Sequence, residues 1–214
     1  ARHALDCKRK SVLQALRRVG LDAVSVAETI ATPEESCRNK VIFHFSPQDR
    51  DGARELGYYA GESHTVLPET MDCVQLPPRF REIAAFTRTY GGAHPAFFGE
   101  DLHALYLRQN RCGRTLVTLT TGGAMASPAS FADFANALCQ AFPDTIAGVL
   151  HATDPAGEAN ARGDVRRFAR PRYTTVAGDG YLTDDFLGVR FHISPDGFFQ
   201  VHHDGAVVLA DVVL

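Results

Sequence analysis

The chain has 214 residues, 45% of them apolar, and 22 basic against 25 acidic side chains for a formal net charge of −3. That length can bury one ordinary core, or one domain with appendages from another, and the charge excludes a global positive field, so any contact with nucleic acid has to use a local patch. No apolar run reaches membrane-spanning length and no signal-peptide pattern opens the chain, so no membrane partner is expected.

Five scattered cysteines (Cys7, Cys37, Cys73, Cys112 and Cys139) form no C-x-x-C pair. Their odd number argues against a secreted disulfide framework and for a reducing, intracellular and cytoplasmic setting. Residue 1 is alanine and the methionines are Met71 and Met125, so a missing or processed natural N-terminus is expected.

In chain order, Leu5, Val12, Leu13 and Leu16 make an apolar stripe that predicts a helix over residues 4–18, with Gly20 as its stop. A short extended segment is expected over 24–30, closed by Thr32-Pro33. Val41, Phe43 and Phe45 alternate with Ile42 and His44, the pattern of a half-buried strand over 40–46. The loop 48–54 contains Asp51-Gly52, so 56–60 is expected to return as the second hairpin arm, with 65–67 continuing the sheet. A helix follows over 78–90, and strands 104–108 and 115–121 form a second hairpin around Asn110-Arg111-Cys112-Gly113. Ser127-Pro128 reads as a cap and first helical residue, and Phe131, Phe134, Ala135, Leu138 and Phe142 give that helix its stripe. A strand over 146–152, a mobile loop over 153–166, short strands near 173–176 and 189–193, and a helix over 204–214 complete the expectation. Strand pairs alternating with single helices predict an α+β fold, an antiparallel sheet with helices packed on one face.

The run from Ile193 to Val201 has no packing period. It joins a Ser-Pro turn, a glycine, two aromatics and an amide, and Phe198 and Gln200 are spaced to point to one side. Two readings stand. One is a planar-ligand surface for a nucleobase or an adenosyl group; the other is a core aromatic beside a solvated glutamine.

Four blocks together resemble the RNA uracil-5-methyltransferase family. They are Cys37-Arg38-Asn39-Lys40 before a strand, Gly57-Tyr58-Tyr59 with Ser63-His64, Asp185-Phe186-Leu187-Gly188, and Phe198-Phe199-Gln200-Val201. Their order and spacing match from about residue 5 to the last residue. The resemblance implies three parts: a helix in 1–20 flanking the methyltransferase domain, a central RNA-facing α+β domain over 21–195, and the start of that methyltransferase domain over 196–214. The terminal helices would pack with that Rossmann-like domain. Implied partners are tRNA or rRNA and not DNA, and the implied cofactor is S-adenosylmethionine.

In this family a thiolate adds to carbon 6 of a flipped uracil, the resulting enolate takes the methyl group, and a base removes the carbon 5 proton. The resemblance gives Phe198 a place in the substrate pocket and Gln200 a contact with the cofactor, with Arg38 and His64 facing the RNA. It also requires a cofactor-holding glycine turn and a Ser-Cys-Asn type loop downstream, and only fourteen residues follow Gln200. Gly122-Gly123 lacks the G-x-G-x-x-G spacing and reads as a turn. The expectation is therefore a fragment of an enzyme, inactive alone, with no catalytic residue of its own. The alternative is a non-catalytic RNA-binding or assembly module on the same scaffold.

Other residues keep two readings. Arg38 and Lys40 are either RNA-facing or a solvated strand end, and His64 either meets substrate or is structural. Arg162, Arg166, Arg167, Arg170 and Arg172 form the densest basic region, either binding phosphates or simply solvated. Cys73 resembles the last ligand of an iron–sulfur cluster found in part of the family, or is an ordinary half-buried thiol. His202 stands where the family often has asparagine. A metal site from His202, His203 and Asp204 is disfavoured, because adjacent ligands on a helix diverge.

Overall fold

The stripe on the first helix and the alternation in the first strand both translate directly into structure. A computed structural model describes residues 2–98, 101–123, 125, 127–153 and 171–213. Arg162, Arg166, Arg167 and Arg170, with most of the loop expected over 153–166, lie outside the described residues. The chain divides into two units, Ala1–Pro33 and Glu34–Leu214.

In the first unit, helix α1 spans Arg2–Arg18 and carries Arg17 and Arg18 in its last turn, where cations suit the helix dipole. It ends in a Schellman motif: Gly20 is at φ 78°, its N–H donates to the Arg17 carbonyl, and the Leu21 N–H reaches the Leu16 carbonyl. The segment expected to be extended over 24–30 forms no ladder. It is held along the helix by Arg9 Nε donating to the Val26 carbonyl (2.9 Å) and Thr29 Oγ1 to the Leu5 carbonyl (3.0 Å).

The second unit is built on a seven-stranded sheet. Its strands are β1 (Lys40–Phe45), β2 (Leu56–Tyr59), β3 (Val66–Leu67), β4 (Leu102–Gln109), β5 (Thr115–Thr121), β6 (Ile146–Thr153) and β7 (Arg172–Gly178), in the order β3-β2-β1-β4-β5-β6-β7. Neighbours are antiparallel except β5 and β6, which run parallel. The reason is the connection: helix α4 (Pro128–Ala141) lies between them, and a parallel pair needs such a crossover. Ser127 caps α4, its Oγ accepting from the Ser130 N–H, and Pro128 opens it as expected. Helices α2 (Pro78–Ala93), α3 (Pro95–Phe98) and α4 cover one sheet face. Phe80, Ile83, Phe97, Phe131, Phe134 and Leu138 pack there against Val41, Phe43, Leu105, Leu107, Val117 and Leu119. The expected α+β sheet with helices on one face is thus what the chain forms.

The opposite face is partly covered by a hairpin of β8 (Leu182–Phe186) and β9 (Val189–Ile193). The strand β8 was not expected, because Leu-Thr-Asp-Asp-Phe looks polar. Its Asp184 is nonetheless buried, with Oδ1 accepting from the backbone N–H groups of Arg111 and Asp185. The hairpin turn is Leu187-Gly188, both at positive φ (50° and 78°), the geometry of a two-residue type I′ turn. Leu182 and Ile193 seat the hairpin on Leu116, Ala147 and Leu150. Helix α5 (His203–Val213) follows the segment that leaves β9.

Candidate functional site

The run after β9 becomes ordered because β1 and β4 supply partners for its backbone. Asn39 donates its N–H to the Val201 carbonyl (2.8 Å) and its side-chain amide to the Gln200 carbonyl (2.9 Å). Arg38 and His202 form an antiparallel bridge. From the other side, Arg108 Nη1 donates to the carbonyls of Ser194 (2.8 Å) and Gly197 (2.7 Å). Arg108 is 2% exposed. Burial draws its guanidinium below the ordinary arginine value, opposed by Tyr106 and Asp196. Ser194 Oγ donates to Asp196 Oδ1 at 2.9 Å and closes the turn.

This clamp leaves two neighbours with opposite fates. Phe199 turns inward against Phe186 and Phe191, at 6.2 and 5.7 Å between ring centroids. Phe198 turns outward and is 87% exposed. With Gln200, also exposed, it borders a cleft of about 200 Å³ shared with Phe186, Phe191, Phe199, His203 and Ala206. Of the two readings of Phe198, the core aromatic is therefore not what the chain forms. The arrangement offers a flat apolar surface beside a donor–acceptor amide, which suits a planar heterocycle. No thiol lines this cleft among the described residues.

His202 explains how the chain departs from asparagine at that position. Its Nδ1 accepts from the Gly205 N–H at 3.0 Å, the contact of a helix N-cap at the start of α5. A backbone N–H only donates, so Nδ1 is the acceptor in this contact. His203 faces a separate polar pocket of about 220 Å³ with Arg38, Asn39, Arg111 and Asp184. Neither of its ring nitrogens has a hydrogen-bond partner among the described residues, and burial lowers its pKa, with Arg111 adding to the effect and Asp184 and Asp204 opposing it.

The remaining sequence candidates scatter. Arg38 is exposed and lies beside Gln200 and His202, whereas His64 sits beyond β2, its ring edge-on to Tyr59 at 5.1 Å. Arg172 is exposed on β7, opposite Thr153. Cys73 is half-buried against the main core. Sequence reasoning passed over Arg108 and Asn39 as contributors to this site. Arg108 lies on the face of β4 away from the helices, where alternation alone gives a solvated arginine, so no local signal announced its burial.

His44 adds a pH dependence. Burial holds its imidazole below the ordinary 6.5, and the charges of His64 and His103 push the same way. His203 is lowered as well. Between 6.5 and the lowered values the unfolded chain binds protons that the folded chain refuses, so stability falls as pH drops through that window. Thermal melts are expected to show a lower midpoint at pH 5.5 than at pH 7.5, with a smaller difference in His44→Asn. An equal or higher midpoint at the lower pH would contradict this.

No family model matches the chain. An uncharacterized RNA methyltransferase of Gloeobacter violaceus is 29% identical across 98% of this chain and 45% of its own length. Another, of Thermosynechococcus vestitus, is 28% identical across 92% of this chain and 43% of its own. A third similarity is structural. The Pyrococcus abyssi tRNA (uracil-54, C5)-methyltransferase, solved with S-adenosyl-L-homocysteine, superposes with a TM-score of 0.66 at 15% identity, over 99% of this chain and 47% of that one. The likeness in sequence is to RNA methyltransferases, and the likeness in fold is to the solved tRNA (uracil-54, C5)-methyltransferase. At 15% identity the solved structure speaks to the fold alone, and the chain spans about half the length of the curated relatives it matches. The block Asp185-Phe186-Leu187-Gly188 that marked the RNA methyltransferase resemblance is the β8–β9 turn. The block Cys37-Arg38-Asn39-Lys40 supplies the strand start that anchors Gln200. Among the described residues no helix is long and apolar enough to cross a membrane.

Proposed function

We propose that this chain forms the substrate-facing part of an S-adenosylmethionine-dependent RNA methyltransferase acting on carbon 5 of uridine in tRNA or rRNA. The observation that carries the reading is Phe198, 87% exposed beside Gln200 in a chain similar to RNA methyltransferases over nearly its whole length. An exposed phenylalanine offers a flat apolar face, and covering it with a planar partner removes that face from water. The partner here is the target base, which leaves its stack to be modified and stacks on the Phe198 ring. Arg38 and His64 face the RNA in this reading, and the arginines at 162, 166, 167, 170 and 172 meet its phosphates.

Gln200 fits one edge of an adenosyl group, being exposed at the rim of the Phe198 cleft with its backbone fixed by Asn39. S-adenosylmethionine, when bound, supplies the methyl group. The work of this chain is to orient the base and to exclude water from one side of it. We place the functional boundaries near residues 20 and 195, and we assign the nucleophile and most of the cofactor contacts to other parts of a longer protein.

The test uses that longer protein and tRNA or rRNA carrying tritium on uridine carbon 5. Methylation there displaces the label, so tritium release that depends on S-adenosylmethionine is expected. Tight RNA binding with no release from any RNA would contradict the reading and leave a non-catalytic RNA-binding module.

A further inference from the structure

Among the described residues, the sheet face turned away from α2, α3 and α4 is covered at one end only. The β8–β9 hairpin lies over Leu116, Ala147 and Leu150. The other end, carrying Ile42, His44, Tyr59, Tyr106 and Thr120, opens into a cleft of about 850 Å³. Strand register explains its shape. Ile42 sits opposite Tyr106, and His44 opposite Gly57 on the neighbouring strand. Two residues beyond Gly57 on the same face, the ring of Tyr59 leans diagonally across β1. It stacks on His44 with centroids 3.9 Å apart and planes within 15°. Tyr59 and Ile42 remain 37% and 38% exposed, an apolar and aromatic surface left to solvent.

Cations frame this surface. Lys40 Nζ lies 5.2 Å from the Tyr106 ring centroid. Arg54 is held in the wall by donating to the carbonyls of Ser46 and Leu102, at 3.3 and 3.2 Å. Among the described lining residues Asp101 is the one carboxylate, and it is paired with His103 at 3.5 Å. The three nearby histidines do not make a metal site, since no group of such side chains among the described residues is arranged to hold an ion. The chain runs from the Arg38–His202 bridge into β1 and on to His44, about 20 Å for six extended residues, so the two clefts are separate.

We propose that this cleft binds an unpaired stretch of RNA, one nucleobase stacking on the His44–Tyr59 pair while the backbone passes Lys40 and Arg54. The proposal rests on reading the chain as RNA-facing and adds a second contact region, remote from the Phe198 cleft. Flat rings interleaved with cations are the means by which a protein surface holds single strands without reading their sequence. Burial and the neighbouring histidines keep the His44 ring neutral near pH 7, so it stacks without placing a desolvated charge under the base. Duplex RNA lacks the free π-face that this site needs.

The experiment is fluorescence anisotropy of the full chain with a dye-labelled uridine dodecamer, single-stranded and as a duplex with its complement. Tyr59→Ala is expected to weaken single-strand binding roughly tenfold, and Tyr59→Phe to restore it. Ile42→Asp, at an exposed position, is expected to weaken it as well and serves if Tyr59→Ala fails to fold. Wild-type affinity in folded Tyr59→Ala and Ile42→Asp, or tighter binding of the duplex, overturns the proposal. Tritium release by the longer protein separates it from the proposed reaction. Release together with unchanged affinity in these variants removes the cleft alone, and Tyr59-dependent binding without release removes the reaction alone.

Discussion

Alanine in place of Phe198 is expected to lower methyl transfer by the longer protein roughly 10- to 100-fold, the worth of one base stacked on an aromatic ring. The fold should hardly notice, because an 87% exposed ring contributes little to the interior. The stability change is expected within about 0.5 kcal/mol, as for other surface substitutions. That separation of effects makes the substitution informative. A buried phenylalanine would lose stability and activity together, typically by about 3–5 kcal/mol on truncation. Phe198→Tyr keeps the ring and is expected to retain most of the activity. Steady-state transfer rates and thermal melts of the same preparations check both halves. Full activity in Phe198→Ala would mean that the target base rests elsewhere.

Arg108→Met removes the clamp rather than the contact surface, and a large loss of both stability and transfer is expected. The guanidinium is buried and donates to two carbonyls, those of Ser194 and Gly197, of which the first also accepts from the Gly197 N–H at 3.2 Å. Hydrogen bonds from a charged donor are worth about 1.5–3 kcal/mol each, and the Gly197 carbonyl left without the guanidinium adds its own penalty. A loss of about 3 kcal/mol is expected, equivalent to roughly 6–12 °C in Tm for a chain of this size. Arg108 acts through the turn it holds, so its role is positioning. A purely structural role would lower the amount of folded protein and leave kcat per folded molecule alone. The clamp requires kcat to fall even at temperatures where Arg108→Met is fully folded. Arg108→Lys, whose single ammonium can still reach a carbonyl, is expected to recover part of that loss.

Much of the scaffold was legible from local pattern. The alternation of Val41, Phe43 and Phe45, the Ser127-Pro128 cap and the stripe from Phe131 to Leu138 each fix an element through its own residues. Pairing was less legible. The parallel contact of β5 with β6 depends on where α4 returns the chain, and β8 hides because Asp184 is buried by backbone partners on the β4–β5 turn. The exposed end of the site could be read from Phe198 and Gln200, whose run has no packing period. Its support could not. Arg108 lies 86 residues before Ser194, and nothing in either segment announces the other. The His44–Tyr59 stack is likewise diagonal across two strands and needs the register that places Gly57 opposite His44.

The central claim is that Phe198 receives a uridine for methylation at carbon 5. Its most direct test is the 5-methyluridine content of tRNA and rRNA, by mass spectrometry of nucleosides from cells whose copy of the gene has been deleted and then restored. The expected result is a 5-methyluridine signal that disappears on deletion, returns with the wild-type gene, and stays strongly reduced with Phe198→Ala at equal protein level. A signal unchanged by deletion, or fully restored by the alanine variant, would contradict the claim.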